Sequence, residues 1–365
     1  VLAGDIMAAG GIADKLINFA NALVGWMRGG LAMVNILASM FFGGISGSSA
    51  ADTTAIGSML IPMMKKKGYD EGFATAVTIT GSVQGILIPP SHNMVIYALS
   101  AGGVSIGALF LAGIVPGIML GIALMIYAYI VSRVKNYPTG EPFNMRTLIK
   151  SFWSAALGLG TVLIVVVGVI AGVFTATEAA AIATAYAFVV TFFIYRQIPI
   201  TEMGPILSRS MKTLGIVMIL IGTSTAFGWL LAYLKVPALI AGLIFSVSSN
   251  PVVILLIING FLLFMGTLMD MSSLILICTP ILLPIVKQIG VDPVHFGIIM
   301  MLNLGIGLLT PPVGSTLFLG SAISGVSIER ITKASLPFFA VMIAVLMLVT
   351  YVPDVSMTIP RMMMN

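Results

Sequence analysis

One pattern constrains this chain more than any other. Gly85, Pro89 and Pro90 recur without a gap, 222 positions further on, as Gly307, Pro311 and Pro312. Laid over each other from Gly44/Gly266 to Ile106/Ile328, the two stretches share Pro62/Pro284, Lys65/Lys287, Gly68/Gly290 and Asp70/Asp292. They also share the run Gly103-Val104-Ser105-Ile106 against Gly325-Val326-Ser327-Ile328. Identities at Pro, Gly, Lys and Asp carry weight that identities at Leu or Val do not, because an apolar composition supplies the latter unaided. Two copies of one unusual device in such a chain predict an internally duplicated transporter.

Hydrophobic residues make up 59% of the 365 residues and charged residues 8%, with a mean hydropathy of +1.14. Soluble domains carry roughly 25% charged residues, so the fold class is an all-α polytopic membrane protein. The runs Ser151 to Phe174, Glu178 to Tyr195, Met211 to Leu234 and Ser335 to Tyr351 approach or exceed the ~20 residues a helix needs to cross hydrocarbon. Short alternating strands, the mark of a barrel, are missing. The net charge of +5 does not imply nucleic acid, because the basic residues are scattered over short loops. Cys278 stands alone in an apolar run, so it reads as packing. No signal peptide is read at Val1, and an N-terminal piece is expected to be missing.

Placing Lys65-Lys66-Lys67 in the cytoplasm puts the other basic loops there too, and leaves only Lys235, Lys287 and Arg361 of seventeen basic residues outside. The positive-inside rule is then obeyed, and the two repeats enter the membrane in opposite senses. The expected organisation is an interfacial arm helix over 1–30, a first inverted repeat over 31–132 and scaffold helices over 133–232. A second arm over 233–250, a second repeat over 251–352 and a tail over 353–365 follow. Each repeat holds a re-entrant hairpin (31–64; 251–286), a broken helix (72–100; 293–325) and a further helix. Non-helical backbone at such depth is tolerated only where protein or a watery cavity surrounds it.

Pro89 and Pro90 have no N–H, so the carbonyls of Gly85 and Ile86 are expected to lose their helical partners, as are those of Gly307 and Leu308. Beside each break a fresh helix starts, with Ser91, His92 and Asn93 in one copy and Gly314, Ser315 and Thr316 in the other. Carbonyls and hydroxyls suit Na⁺, while free N–H groups at a helix start suit a carboxylate. Asp52 and Asp270 are carboxylates in apolar surroundings, and each must face a cation, a cavity or a donor. Asp52 has the alternative of capping the second hairpin helix, and Asp270 is the better cation ligand. Glu178 reads as a first-turn charge. His92 and His295 have no ligand-spaced partners, which argues against a transition metal. Arg28 is either a substrate contact or an interfacial anchor beside Trp26.

The chain resembles the large membrane subunit of a tripartite ATP-independent periplasmic (TRAP) transporter. The resemblance rests on Phe42-Gly43-Gly44-Ile45-Ser46-Gly47-Ser48-Ser49-Ala50-Ala51-Asp52, on Ile61-Pro62-Met63-Met64-Lys65-Lys66-Lys67-Gly68-Tyr69, and on Ile88-Pro89-Pro90-Ser91. Leu111-Ala112-Gly113-Ile114-Val115-Pro116-Gly117 and Thr310-Pro311-Pro312-Val313-Gly314 add to it. It spans essentially the whole chain and implies an elevator-type, Na⁺-coupled importer of an organic acid across the bacterial inner membrane. The implied partners are a small four-helix membrane subunit and a periplasmic substrate-binding protein, with no cofactor beyond the coupling ion. It also implies a first sodium site at Ser46, Ser48, Ser49, Asp52, Gly85, Ile86 and Pro89. The second would use Gly266, Asp270, Ser272, Gly307, Thr310 and Gly314. Substrate contacts are expected from Ser91, His92, Asn93, Arg28, Ser315 and Thr316.

Where many dicarboxylate members resemble Ser-Ile-Pro-Met after the double proline, this chain has Ser91-His92-Asn93-Met94. That departure is more similar to the sialic acid members, so N-acetylneuraminate is the expected substrate, with a C4-dicarboxylate as the alternative. A stand-alone divalent-anion/sodium symporter would share the hairpins but not this wording. An intramembrane enzyme would need a nucleophile and base, or paired acids, that the sequence does not offer.

Overall fold

The computed structural model describes residues 1–364. Helices α1 (Leu2–Ala9) and α2 (Ile12–Val24) precede a helical pair, α3 (Gly30–Ser46) and α4 (Ser49–Lys66). Then come α5 (Glu71–Ser82), α6 (Gln84–Leu87), α7 (His92–Ser100), α8 (Ile106–Val134) and α9 (Met145–Ile170). Helix α10 (Ala176–Val189) runs on through a π-helical turn at Val190–Tyr195 and stops at Arg196, after which a short connection leads to α11 (Met203–Tyr233) and α12 (Val236–Val247). A second pair follows, α13 (Pro251–Gly266) and α14 (Met271–Gln288), then α15 (Pro293–Gly307), α16 (Ser315–Ser324), α17 (Ile328–Tyr351) and α18 (Asp354–Met363). Among the described residues six helices are long and apolar enough to cross a membrane, and α5–α6 with α7, bent by 48° at their break, reach that length and composition when taken together.

The residues that recur in the sequence take the same local roles. Asp70 caps α5 by accepting from Phe73 N–H at 2.9 Å, and Asp292 caps α15 by accepting from Val294 N–H at 2.7 Å. Gly68 and Gly290, each two residues before its Asp, have φ of +82° and +80°, a backbone that side-chain-bearing residues avoid. Both double prolines are cis. The polar and glycine identities thus punctuate helices, which is why they stand out against Leu and Val.

The two broken helices lie side by side and run in opposite directions. A Cβ at Gly297 would meet Tyr97, one at Gly305 would meet Val83, and one at Gly320 would meet Ile79 and Thr75, so numbers fall along one as they rise along the other. Their ends are fastened. Tyr97 Oη donates to the Pro293 carbonyl at 2.6 Å, and Lys65 Nζ donates to the Ser324 carbonyl at 3.1 Å while pairing with Glu71 at 3.0 Å. Arg330 closes the same end with a 2.8 Å pair to Asp70.

One core fills the space between α5, α8, α15 and α17, and a second joins α1 and α2 to α3, α9 and α10. Helix α5 is buried on all sides, yet carries Thr75, Thr78, Thr80 and Ser82. Each hydroxyl is satisfied within the helix, the three threonines by the carbonyl four residues back, the economical solution in an apolar medium. Asn303 donates to Asn259 Oδ1 at 2.7 Å, and Asn259 donates to Thr350 Oγ1 at 3.1 Å, linking α13, α15 and α17. In contrast, α11 turns almost its whole length outward, with Ile216, Met218, Ile219 and Trp229 exposed.

These fastenings differ in strength. Asn259→Leu leaves the Asn303 amide only its bond to the Ile299 carbonyl and is expected to cost about 1–3 kcal/mol, Tyr97→Phe about 1 kcal/mol, and Arg330→Ala under ~1 kcal/mol because that pair is exposed. Thermal unfolding of the purified protein should rank the three in that order.

Candidate ion and substrate site

Each helical pair ends in a short tip that sits on a break. In the first, α3 stops at Gly47, φ +62°, and Ser48 caps α4 by accepting from Ala51 N–H at 3.4 Å. In the second, Asp270 caps α14, its Oδ2 accepting from Ser272 N–H at 2.9 Å. The capping role offered to Asp52 in the sequence therefore belongs to Ser48 and, in the other tip, to Asp270. Asp52 lies one turn further in, fully buried, and neither of its oxygens has a hydrogen-bond partner. Ser39 Oγ and Thr53 Oγ1 are likewise buried and unpartnered.

Glycine is what lets tip and break touch. A Cβ at Gly85 would lie 3.0 Å from Gly43 Cα, and one at Gly266 would lie 3.0 Å from Gly307 Cα, so in both halves backbone rests on backbone. Gly47 faces the Pro90 carbonyl in the first half, and Val313 N–H donates to the Thr267 carbonyl at 2.9 Å in the second.

The second break corrects one expectation. Prolines 311 and 312 cannot donate to the carbonyls of Gly307 and Leu308, but Thr310 N–H reaches Gly307 at 3.0 Å and Thr316 N–H reaches Leu308 at 3.1 Å. The chain folds back tightly enough after the break to supply its own donors. Each carbonyl keeps one lone pair for a further ligand. Thr310 turns its hydroxyl back to the Ile306 carbonyl at 2.9 Å.

The tips also reach across. Ser49 Oγ in the first tip lies 2.6 Å from Ser82 Oγ and 3.4 Å from Thr316 Oγ1 at the start of α16. Ser272 Oγ in the second tip donates to Asn93 Oδ1 at the start of α7, at 3.3 Å. Each tip thus touches the helix start of the opposite half. Ser91 precedes α7 with its hydroxyl buried and unpartnered, and His92 follows against Gly47. Ser46 Oγ, Ser48, Gly85 and Pro89 belong to the first cluster, and Gly266, Ser272, Thr310, Gly314 and Ser315 to the second.

Arg28 is not among them. Its Nε donates to the Tyr137 carbonyl at 3.4 Å and its backbone bridges Thr139, at the far end of the 17-residue α3, roughly 25 Å from the tip. Glu178 closes a capping box with Thr175. Ser82 and Gln84 were not singled out from sequence. Gln84 Nε2 donates to the Gly81 carbonyl at 3.1 Å and its Oε1 is unpartnered. The signal was present as polar residues spaced along an otherwise apolar, glycine-flanked helix.

Residues 1–355 match the family model described as tripartite ATP-independent periplasmic transporter, DctM component. The chain belongs to this family. It is 41% identical over 361 residues to the C4-dicarboxylate TRAP transporter large permease protein DctM of Pseudomonas aeruginosa, covering 99% of this chain and 84% of that protein. It is 37% identical over 365 residues to the sialic acid TRAP transporter large permease protein SiaM of Vibrio cholerae, covering 100% and 85%. Among solved structures, the YdaH transporter of Alcanivorax borkumensis shares the fold with a TM-score of 0.66 at 12% identity, over 96% of this chain and 84% of that one. This DctM-family chain is therefore a large permease subunit of a secondary transporter, a multi-pass protein of the bacterial inner membrane and not an enzyme. Large permease subunits of this kind work with a small membrane subunit and a periplasmic binding protein.

Overpacking the tip contacts tests the geometry. Gly43→Ala and Gly307→Ala are each expected to destabilise by about 1–3 kcal/mol. Gly260→Ala, where a Cβ meets nothing within 4 Å, should be neutral or slightly stabilising. Equal melting temperatures for all three would show that the tips do not rest on the breaks.

Proposed function

We propose that this chain couples inward movement of an organic acid to Na⁺, with one cation held at each tip and break and the acid between them, and that it does so by an elevator motion. The observation that carries this reading is the reciprocal pair of contacts, Ser49 to Thr316 and Ser272 to Asn93, which joins two polar tips and two helix starts in one cluster. Asp52 supports a cation in the first half. A buried carboxylate with at most the Ser39 hydroxyl beside it needs positive charge nearby or a bound proton. In the second half the carbonyls of Gly266, Gly307 and Thr310, with Asp270, Ser272 and Gly314, supply hard oxygen. The helix starts at Ser91 to Asn93 and at Ser315 present N–H groups to the carboxylate, and Thr316, whose N–H is taken by the Leu308 carbonyl, offers its hydroxyl. The opposed course of the two broken helices supports an inverted arrangement of the halves, as alternating access requires.

The substrate proposed is N-acetylneuraminate, on the strength of Ser91-His92-Asn93 and the 37% likeness to the sialic acid subunit. A C4-dicarboxylate is the second reading, favoured by the 41% likeness to the dicarboxylate subunit.

Uptake into proteoliposomes holding both membrane subunits, with the candidate acids and their binding proteins, tests the reading. Transport should need a Na⁺ gradient and show a Hill coefficient for Na⁺ above one. With two Na⁺ and the monoanion N-acetylneuraminate one net positive charge enters, to which an inside-negative potential of 100 mV adds about 2.3 kcal/mol, whereas two Na⁺ with a dicarboxylate dianion move none. Uptake indifferent to Na⁺ would overturn the coupling. Asp270→Asn should raise the Na⁺ concentration for half-maximal uptake, and an unchanged value in a folded variant would leave Asp270 as a cap alone. Asn93→Ala should weaken apparent substrate affinity by about 1–2 kcal/mol, one hydrogen bond to a charged group. Unaltered affinity would move the substrate towards Ser315 and Thr316.

A further inference from the structure

One cavity lies away from the tips. It measures about 390 Å³ and opens between the arm helix α2, the far end of the hairpin α3–α4, and the loop after α8. Its floor is apolar, formed by Ile17, Leu31 and Val34, and Met63 continues that surface outward, 46% exposed. Its rim is basic. Lys66 and Lys67 both line it and are exposed, and neither forms an ion pair among the described residues. Asn18 and Asn21 on α2 offer amide donors from the opposite wall, and Glu141 is the one acidic residue on the rim. Trp26, 48% exposed, follows α2 beside the opening, its Nε1 tied to the Leu23 carbonyl.

An apolar floor under two unpaired ammonium groups has the chemistry of an amphiphile site. A small soluble anion would use the lysines and leave the floor wet, and a neutral lipid would leave the lysines unused. In a multi-pass chain, a cavity flanked by an interfacial-type tryptophan is reached from the bilayer. Lysines at that level attract anionic headgroups. We propose that this cavity holds an anionic phospholipid, its phosphate on Lys66 and Lys67 and its acyl chain along Ile17, Leu31, Val34 and Met63. The lipid fills the gap between the arm and the hairpin, where α2 packs against α3 but scarcely touches α4.

The test is lipid binding to the intact complex of both membrane subunits, titrated with phosphatidylglycerol or phosphatidylcholine and read by native mass spectrometry. This readout does not depend on transport, so it stands or falls apart from Na⁺ coupling. Phosphatidylglycerol should bind more tightly than phosphatidylcholine, and Lys66→Gln and Lys67→Gln should each weaken it about fivefold. Leu31→Trp, which fills the floor and leaves both lysines, should weaken phosphatidylglycerol to a similar degree. Inorganic phosphate at equal concentration should not displace it. Displacement by phosphate would make the site one for a free anion and overturn the proposal. Loss in the lysine variants with Leu31→Trp unaffected would reduce the effect to ordinary surface attraction and overturn it equally. Should a lysine variant fail to assemble, Leu31→Trp against the parent decides alone.

Discussion

Backbone that leaves helical geometry inside hydrocarbon must find its hydrogen bonds within the protein. This chain breaks twice, at Pro89-Pro90 and at Pro311-Pro312, and most of the surrounding structure answers that demand. Each break is covered by a tip seated on it through paired glycines, Gly43 with Gly85 and Gly266 with Gly307. Thr310, Val313 and Thr316 supply donors at the second break. Buried α5 and α15 lead into the breaks, of which the first has Pro89 buried and the second leaves Pro312 and Val313 exposed, and the hydroxyls of α5 bond inward so that they add no unsatisfied groups of their own.

The same arrangement concentrates polarity where function needs it. Hydroxyls, carbonyls, two carboxylates and two helix starts meet at the tips, while the outer helices α9 to α12 carry few buried side chains. Asp270 at the second tip is exposed, but around the fully buried Asp52 the low dielectric makes each charge interaction stronger than it is in water. It also makes any unmatched charge costly, and Asp52 is the plainest instance.

Much of this was legible in the sequence because the informative residues act locally. Pro, Gly and Asp end, break and cap helices wherever they stand, so Gly68, Asp70, Gly290 and Asp292 announced their turns. What was not legible depended on packing between distant segments. The donors that reclaim the Gly307 and Leu308 carbonyls come from a fold-back that no periodicity reports. Whether Asp52 or a neighbouring serine caps α4 turns on a one-turn difference that spacing does not resolve. Arg28 looked near the first hairpin because it is near in sequence, but a straight helix carries it to the opposite end. Ser82 and Gln84 gain their importance from what faces them.

The crossed fastening of the two broken helices has a mechanical meaning. They are joined directly at one end, by Tyr97 on Pro293, and at the other through Lys65 of the first hairpin, which holds both Glu71 and the Ser324 carbonyl, while each is tied to the other half's tip by Ser49 with Thr316 and Ser272 with Asn93. Hairpins and broken helices are thereby laced into one network, so neither broken helix can slide along the other without disturbing the tips as well. Strain entering at either tip is shared by both halves through these ties, and the two polar clusters resist being drawn apart.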